Sequence, residues 1–90
     1  MLTVQTGARF RGDVDRVTAR GKDLAKLEAL VRQLAAQHPL EPRHRDHKLK
    51  GPWTGYRECH IEPDWLLLYK VAEPVLRLER TGTHQDIFGR

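Results

Sequence analysis

Residues 56–81, YRECHIEPDWLLLYKVAEPVLRLERT, decide the fold of this 90-residue chain. Three short segments within them are rich in apolar, aromatic and β-branched residues, at 56–61, 65–72 and 75–81. Only Glu62-Pro63-Asp64 and Glu73-Pro74 separate these segments, and such proline-containing connections are typical of turns. Because connections this short join antiparallel strands, the sequence predicts three consecutive antiparallel β-strands.

Two amphipathic helices are predicted before these strands. The first ends near Gly21 and places three apolar side chains on one face: Phe10, Val14 and Val17. The second follows Asp23, a candidate N-cap, and ends before Pro39. Residues 2–6 alternate like a short strand. The order β-α-α-β-β-β predicts one α+β domain, residues 1–90, in which a helical hairpin packs on one face of a small, mainly antiparallel sheet.

The net positive charge is concentrated in one segment. The chain has 16 Lys and Arg against 12 Asp and Glu, a formal net charge of +4. Residues 43–57 contain five basic residues and one acidic residue, so the rest of the chain is neutral overall. We interpret residues 39–55, with three prolines and two glycines, as an irregular, exposed connection. A basic loop indicates an anionic partner, such as nucleic acid or an acidic protein; the alternative is a loop that only maintains solubility.

Cysteine content and hydropathy exclude several classes of protein. A single cysteine, Cys59, excludes a disulfide framework and agrees with a reducing compartment. The N-terminus has no apolar segment typical of a secretion signal. The longest apolar run, residues 65–69, is too short to cross a bilayer. We therefore expect a cytoplasmic protein without a membrane partner.

Strand alternation sorts the side chains of residues 56–81. Glu58 and His60 are expected on the open face of the sheet, opposite Cys59. In the last strand, strict alternation would bury Arg80 beside Leu78. A bulge or the end of the strand would be needed to release Arg80, and both remain open at this point.

Three histidines from separate segments could form a catalytic cluster. His47, His60 and His84 lie in the basic segment, the first long strand and the tail, and Asp64 begins the next strand. Imidazoles and a carboxylate beside cations suit phosphodiester cleavage without a metal. A base would take the 2′-hydroxyl proton of a ribose, and an acid would protonate the leaving 5′-oxygen. The alternative is that the histidines are surface or structural residues, as a single histidine usually is.

A zinc site competes for the same residue types. His44 and His47 have ligand spacing, and Cys59-His60 offers two more candidates. Cys59 and His60 are adjacent on a strand and point to opposite faces, and the chain has no second cysteine. We therefore expect no metal ligands.

Two aromatic residues lie in irregular segments, where a ring can stack on an unpaired base. For Trp53 we favour the simpler interpretation, in which its ring covers the edge of the core. For Phe88, base stacking and anchoring of the tail are equally compatible with the sequence.

Specific motifs from residue 46 to residue 89 resemble the YafQ-type toxins of the RelE/ParE toxin superfamily. These motifs are DHKLKG at 46–51, W-x-G-Y-R at 53–57, HIEPDW at 60–65, ERTGTH at 79–84 and Phe88-Gly89. The resemblance extends over nearly the whole chain, although the helical hairpin is similar only in pattern. It implies a RelE-like, microbial-RNase-like fold. It also implies a bacterial type II toxin that enters the ribosomal A site and cleaves translated mRNA.

The resemblance also assigns roles to individual residues. It implies six catalytic positions: His47, His60, Asp64, Arg80, His84 and Phe88. Among these, we expect His84 to be the general acid and Asp64, with His47 or His60, to supply the base. Arg80 matches a basic residue near the scissile phosphate. Four cations are expected to hold phosphates of mRNA or ribosomal RNA: Arg43, Arg45, Lys48 and Lys50.

The partners implied by the resemblance are the 70S ribosome, mRNA and a cognate antitoxin, with no cofactor. Such an antitoxin has a ribbon-helix-helix part and an acidic toxin-binding segment, and operator DNA is bound only through it. One alternative keeps the fold but makes the protein a ParE-like poison of DNA gyrase, which does not need the histidine cluster. Another is a non-catalytic RNA- or protein-binding module that uses only the basic loop.

Overall fold

A five-stranded sheet forms the centre of the protein in a computed structural model, which describes residues 1–89. In chain order its strands are β1 (Thr3–Thr6), β2 (His47–Lys48), β3 (Arg57–Glu62), β4 (Trp65–Ala72) and β5 (Val75–Gly82). Their order across the sheet is β1-β5-β4-β3-β2. β1 runs parallel to β5, and the other neighbours are antiparallel. The predicted α+β architecture and its three consecutive antiparallel strands are confirmed.

The predicted helical hairpin is present as α1 (Ala8–Ala19) and α2 (Leu24–Ala35). Gly21 has a φ of +84°, so the chain turns sharply after α1 in a conformation that suits glycine. Asp23 caps α2, because its Oδ1 accepts a hydrogen bond of 3.0 Å from the Ala25 N–H. The apolar faces of the helices and one face of the sheet form a common core, which includes Val17, Leu30, Leu67 and Leu76.

A bulge in β5 decides where Arg80 lies. Leu78 pairs with Tyr69 and Arg80 pairs with Leu68, so Glu79 is the extra residue between two paired positions. Because paired residues share a face and neighbours alternate, the bulge places Leu78 and Arg80 on opposite faces of the sheet. A bulge, the first of the two possibilities left open by the sequence, therefore turns Arg80 away from Leu78. It does not free Arg80, because the side chain is buried against Asp13 of α1.

The connection between α2 and β3 is more ordered than expected for an irregular, exposed loop, so that prediction is wrong in part. It contains β2 and two 3-10 turns, Pro42–His44 and Gly51–Trp53. β2 pairs His47 with Glu58 along the outer edge of β3, which would otherwise leave its backbone groups unpaired. His44 is buried, and its Nδ1 lies 2.7 Å from the His60 carbonyl oxygen.

A short helix at the end of the described chain was absent from the predicted element order. This helix, α3 (His84–Phe88), begins with a reciprocal capping box. Thr83 Oγ1 accepts from the Asp86 N–H at 3.1 Å, and Asp86 Oδ2 accepts from the Thr83 N–H at 3.0 Å. Among residues 1–89, no helix has the length and apolar character needed to cross a membrane.

Candidate active site

Three histidines surround one buried carboxylate on the sheet face opposite the main core. Glu58 is only 5% exposed. Its Oε1 lies 3.4 Å from His60 Nε2 and 3.9 Å from His84 Nε2, and its Oε2 lies 3.6 Å from His47 Nε2. The structure thus brings together the three histidines that the sequence singled out. It adds Glu58, which was expected on this face of the sheet but was assigned no role from the sequence.

The positions of β2, β3 and α3 explain why the three histidines converge on Glu58. The β2–β3 register sets His47 opposite Glu58, and His60 follows two residues later on the same face of β3. His84 is the first residue of α3, directly after β5 and its N-cap. Convergence therefore depends on a two-residue strand and a five-residue helix, neither of which has a hydrophobic period that reveals it in the sequence.

Each histidine ring is oriented by a second contact at Nδ1. His47 Nδ1 lies 2.6 Å from the Arg45 carbonyl oxygen, and His60 Nδ1 lies 3.1 Å from the Pro63 carbonyl oxygen. His84 Nδ1 lies 2.7 Å from Asp64 Oδ1. Because each partner is an acceptor, each Nδ1 carries the hydrogen, and Nε2 is the nitrogen that each ring presents to the cluster.

Asp64 holds the first turn of α3 in place. Its Oδ1 accepts from the His84 backbone N–H at 3.0 Å as well as from the ring. These bonds, the backbone one first, lower the pKa of Asp64 below its usual value. Asp64 is therefore a stable anion and a weak proton acceptor, which suits orientation of His84 better than service as a general base.

Arg80 shares the sheet face of Glu58, because both pair with Leu68 across the sheet, but its guanidinium is held in a buried ion pair. Its side chain is only 4% exposed, and its Nε lies 2.6 Å from Asp13 Oδ2 in α1. Asp13 also accepts from the Thr81 N–H at 3.1 Å, on the part of β5 that β1 does not reach. The contact of Arg80 with the scissile phosphate stays a prediction; in this structure the guanidinium is buried and paired with Asp13.

The four predicted phosphate-binding cations are all exposed but lie in different places. Lys50 lines a pocket together with His84. Arg43 and Arg45 line a groove between α2 and β3 that His60 also borders. Lys48 follows His47 directly in β2, so the two side chains point to opposite sides of the strand. Lys50 is the predicted cation best placed to meet a ligand at His84.

The aromatic residues extend the cluster on the side of α3. The Phe88 ring centroid lies 6.4 Å from that of His84 and 6.3 Å from that of Trp53. Trp53 is half-buried and lines the same pocket as Lys50, outside the main core cluster. The interpretation that Trp53 covers the core edge is therefore wrong, because the Gly51–Trp53 turn directs its ring toward α3.

The residues able to hold a metal differ from the zinc ligands considered from the sequence. Burial raises the pKa of the Cys59 thiol to about 12, so it remains a protonated, poor ligand. The ligand atoms of Glu58, His60 and His84 lie within 4.8 Å of one another. A metal there would occupy the same Nε2 atoms that proton transfer requires.

Several known proteins that are similar to this chain in sequence or fold are bacterial toxins. Residues 2–89 match the family described as bacterial toxin of type II toxin-antitoxin system, YafQ. The mRNA interferase toxin YafQ of Escherichia coli K12 is 42% identical over 87 residues, which are 96% of this chain and 95% of that protein.

Solved structures that are similar to this chain also include bacterial toxins. The E. coli DinJ-YafQ toxin-antitoxin complex contains a chain with a TM-score of 0.89 and 42% identity, covering 98% of both chains. A metal-bound toxin from Helicobacter pylori has a TM-score of 0.92 and 41% identity, covering 98% of this chain and all of that one. The protein described here therefore belongs to the YafQ family of toxins of bacterial type II toxin-antitoxin systems.

Proposed function

We propose that the protein is an endoribonuclease toxin that cleaves translated mRNA on the ribosome. The observation that carries this proposal is the convergence of His47, His60 and His84 on Glu58 at an exposed face. The E. coli relative, which is similar over nearly its whole length, is an mRNA interferase. A cluster of oriented imidazoles supplies both proton transfers that cleavage of a phosphodiester needs.

In the proposed reaction, the ribose 2′-oxygen attacks the adjacent phosphorus while the bond to the 5′-oxygen breaks. The base takes the proton of the 2′-hydroxyl, and the acid gives a proton to the leaving 5′-oxygen. The products are a 2′,3′-cyclic phosphate and a 5′-hydroxyl end. No metal is required, because side chains carry both protons and cations balance the phosphate charge.

His84 is assigned as the general acid. Its side chain is 45% exposed, and the Asp64 carboxylate fixes its ring so that Nε2 faces the cluster. His47, at 51% side-chain exposure, approaches Glu58 at the opposite carboxylate oxygen from His84. A phosphate can therefore lie between these two rings, and we assign His47 as the base. His60, at 12% side-chain exposure, is the least accessible of the three, and its ring centroid lies 5.9 Å from that of His84.

Glu58 supplies the negative charge that keeps three histidines together. Without it, protonated imidazoles a few ångströms apart would repel one another. Its burial directs that charge to the ring nitrogens rather than to solvent. We therefore assign Glu58 a positioning role. Arg80 likewise acts through structure, because its ion pair with Asp13 fixes the end of β5 from which α3 begins.

The exposed cations Arg43, Arg45, Lys48 and Lys50 would contact phosphates of mRNA or ribosomal RNA. By analogy with the E. coli DinJ-YafQ complex, the partner that neutralises the toxin is a cognate antitoxin. It would combine a ribbon-helix-helix DNA-binding part with an acidic segment, and the complex would bind operator DNA through the antitoxin. Because ribosomes and mRNA are its proposed partners, we expect the protein to act in the cytoplasm.

Expression in bacteria, followed by primer extension on a translated message, tests the proposed function. We expect growth arrest and new 5′ ends within the translated frame, both absent for His84→Ala and for a message lacking a start codon. DNA damage with intact mRNA would instead indicate a gyrase poison. Toxicity that survives His84→Ala but is lost on charge reversal at Lys48 and Lys50 would indicate a non-catalytic binding module.

A further inference from the structure

An apolar pocket lies directly beside the histidine cluster. It has a volume of about 660 Å³ and is formed between the Gly51–Trp53 turn and α3. Five of its seven lining residues are apolar: Leu49, Pro52, Trp53, Ile87 and Phe88. The other two are Lys50 and His84, so the pocket shares a wall with the proposed general acid.

The aromatic rings in this pocket are not stacked on one another. Trp53 and Phe88 meet edge to face, with an angle of 90° between the ring planes. Trp53 meets Tyr56 in the same manner, at 84°. Among the described residues, neither Trp53 nor Phe88 has a ring packed parallel against it. Both rings are half-buried, so aromatic surface remains open to a flat ligand.

Backbone hydrogen bonds form both walls without a ligand. The Thr54 N–H donates to the Gly51 carbonyl at 3.1 Å, and the Tyr56 N–H donates to the Trp53 carbonyl at 3.0 Å. Gly51 has a φ of +65°, a conformation that glycine adopts readily. On the other wall, the capping box of Thr83 fixes α3. A pocket formed in advance binds a ligand at a lower entropy cost.

We propose that this pocket binds one nucleobase of the RNA strand, in the nucleotide next to the scissile phosphate. The base would stack against Trp53 and Phe88 while His84 contacts the phosphate, and the Lys50 ammonium at the rim would meet a phosphate or an acceptor atom of the base. Purines, with the larger ring area, would bind better than pyrimidines. This inference rests on the proposed function, because it names which part of the RNA the same site holds.

The chain provides its own spectroscopic probe for this proposal. It has two tryptophans, and Trp65 is only 1% exposed, with its Nε1 donating to Thr81 Oγ1 at 2.9 Å. Trp53 is therefore the tryptophan whose indole N–H signal in an NMR spectrum should respond to a ligand in the pocket. A 2′-deoxy trinucleotide is a suitable probe, because it lacks the nucleophile and cannot be cleaved by the proposed route.

On titration with this trinucleotide, we expect the Trp53 signal to shift in a saturable manner while the Trp65 signal stays in place. An abasic site at one of the three positions should remove the shift. Trp53→Ala should weaken binding about tenfold, the loss typical of one stacked base, and Trp53→Phe should restore most of it. Val71→Ala, at an exposed position of β4, is the matched control and should bind like the wild type.

An unchanged Trp53 signal, or equal binding by Trp53→Ala and the wild type, would overturn the nucleobase site. Weaker antitoxin binding by Trp53→Ala with unchanged trinucleotide binding would overturn it too, because the pocket would then receive a side chain of the antitoxin. Cleavage on ribosomes separates the two claims. A wild type that cuts no RNA refutes the proposed function, whereas Trp53→Ala with wild-type rate and base preference refutes only the pocket.

Discussion

At the scale of single residues, two carboxylates orient the histidines: Glu58 and Asp64. Glu58 is buried and faces three Nε2 atoms, whereas Asp64 is exposed and holds only His84, by its ring and by its backbone. The sequence indicated a role for Asp64 but not for Glu58. Asp64 belongs to a recognisable HIEPDW motif, but Glu58 is an ordinary strand residue until β2 pairs beside it.

Replacing Glu58 by glutamine tests the positioning role. Glu58→Gln keeps the size of the side chain but removes its charge, so the histidines lose their common counter-ion. We expect RNA cleavage to fall at least about tenfold, since one proton transfer alone contributes about 10²–10⁴-fold. The rate is measured with purified ribosomes and message, and far-ultraviolet circular dichroism checks the fold. Glu28→Gln, on the exposed side of α2, is the control, and an equal fall in both variants would contradict the prediction.

The stability that Asp64 provides should depend on pH in a defined direction. Hydrogen bonds from His84 lower its pKa in the folded state, so its contribution is complete above the unfolded-state value of about 3.9. The contribution is lost as pH falls through the lowered value. Denaturant unfolding should show a constant difference between wild type and Asp64→Asn from pH 5 to pH 7, shrinking below about pH 4. A difference that grows on acidification would contradict this assignment.

At the scale of elements, the position of α3 decides whether its first residue, His84, and its last, Phe88, lie beside the histidine cluster. Arg20, the residue directly after α1, pairs with Asp86 at 2.5 Å, and its hydrogen bond is the main cause of a pKa for Asp86 far below the usual value. Helix α3 is thus tied both to its own N-cap and to the helical hairpin.

Removing the N-cap should loosen α3 before the core is affected. Thr83→Ala deletes the hydroxyl that accepts from Asp86, which typically costs about 1 kcal/mol. We expect faster amide hydrogen exchange in α3, and a loss of cleavage larger than this small destabilisation explains. Thr18→Ala removes an exposed hydroxyl that bonds only within α1, so it is the matched control. Unchanged exchange in α3 would show that its capping box is not what orders it.

The elements that the sequence predicted have a clear apolar pattern of their own, whereas those that it missed are short and have none. The strands within residues 56–81 are long enough for apolar alternation, and the helices carry clear apolar faces. β2 has two residues, His47 and Lys48, and its pairing depends on the free edge of β3, which no local pattern encodes. The only local signal for α3 was the Thr83-x-x-Asp86 spacing of a capping box. Local signals therefore predicted most of the fold, while the site depends on tertiary pairing.

At the scale of the whole molecule, the buried ion pair between Asp13 and Arg80 joins the helical hairpin to the sheet. Asp13 is 1% exposed and receives hydrogen bonds from Arg80, Thr81 and Arg16. The pair lies beside the β5 bulge, at the place where β1 ends and α1 covers the strand edge. Arg80, which the resemblance assigns to the scissile phosphate, thus also stabilises the strand from which α3 and His84 follow.

Breaking this pair from one side should destabilise the protein strongly. Asp13→Ala leaves the Arg80 guanidinium buried without a counter-charge, and we expect the free energy of unfolding to fall by about 3–5 kcal/mol. Asp15→Ala, on the exposed side of the same helix, should change it little. The double variant Asp13→Leu/Arg80→Met should be more stable than Asp13→Ala, because no charge is then left unpaired. Equal stability of Asp13→Ala and Asp15→Ala in denaturant unfolding would contradict the structural role.

The most direct test of the central claim is cleavage of a defined message by the purified protein on 70S ribosomes, in the presence of a chelator. The histidine mechanism predicts a 2′,3′-cyclic phosphate and a 5′-hydroxyl end. It also predicts no cleavage when a single 2′-deoxynucleotide replaces the attacking ribose, and a loss of at least about 10²-fold for His84→Ala. Cleavage of the deoxy-substituted message, or a wild-type rate for His84→Ala, would contradict it.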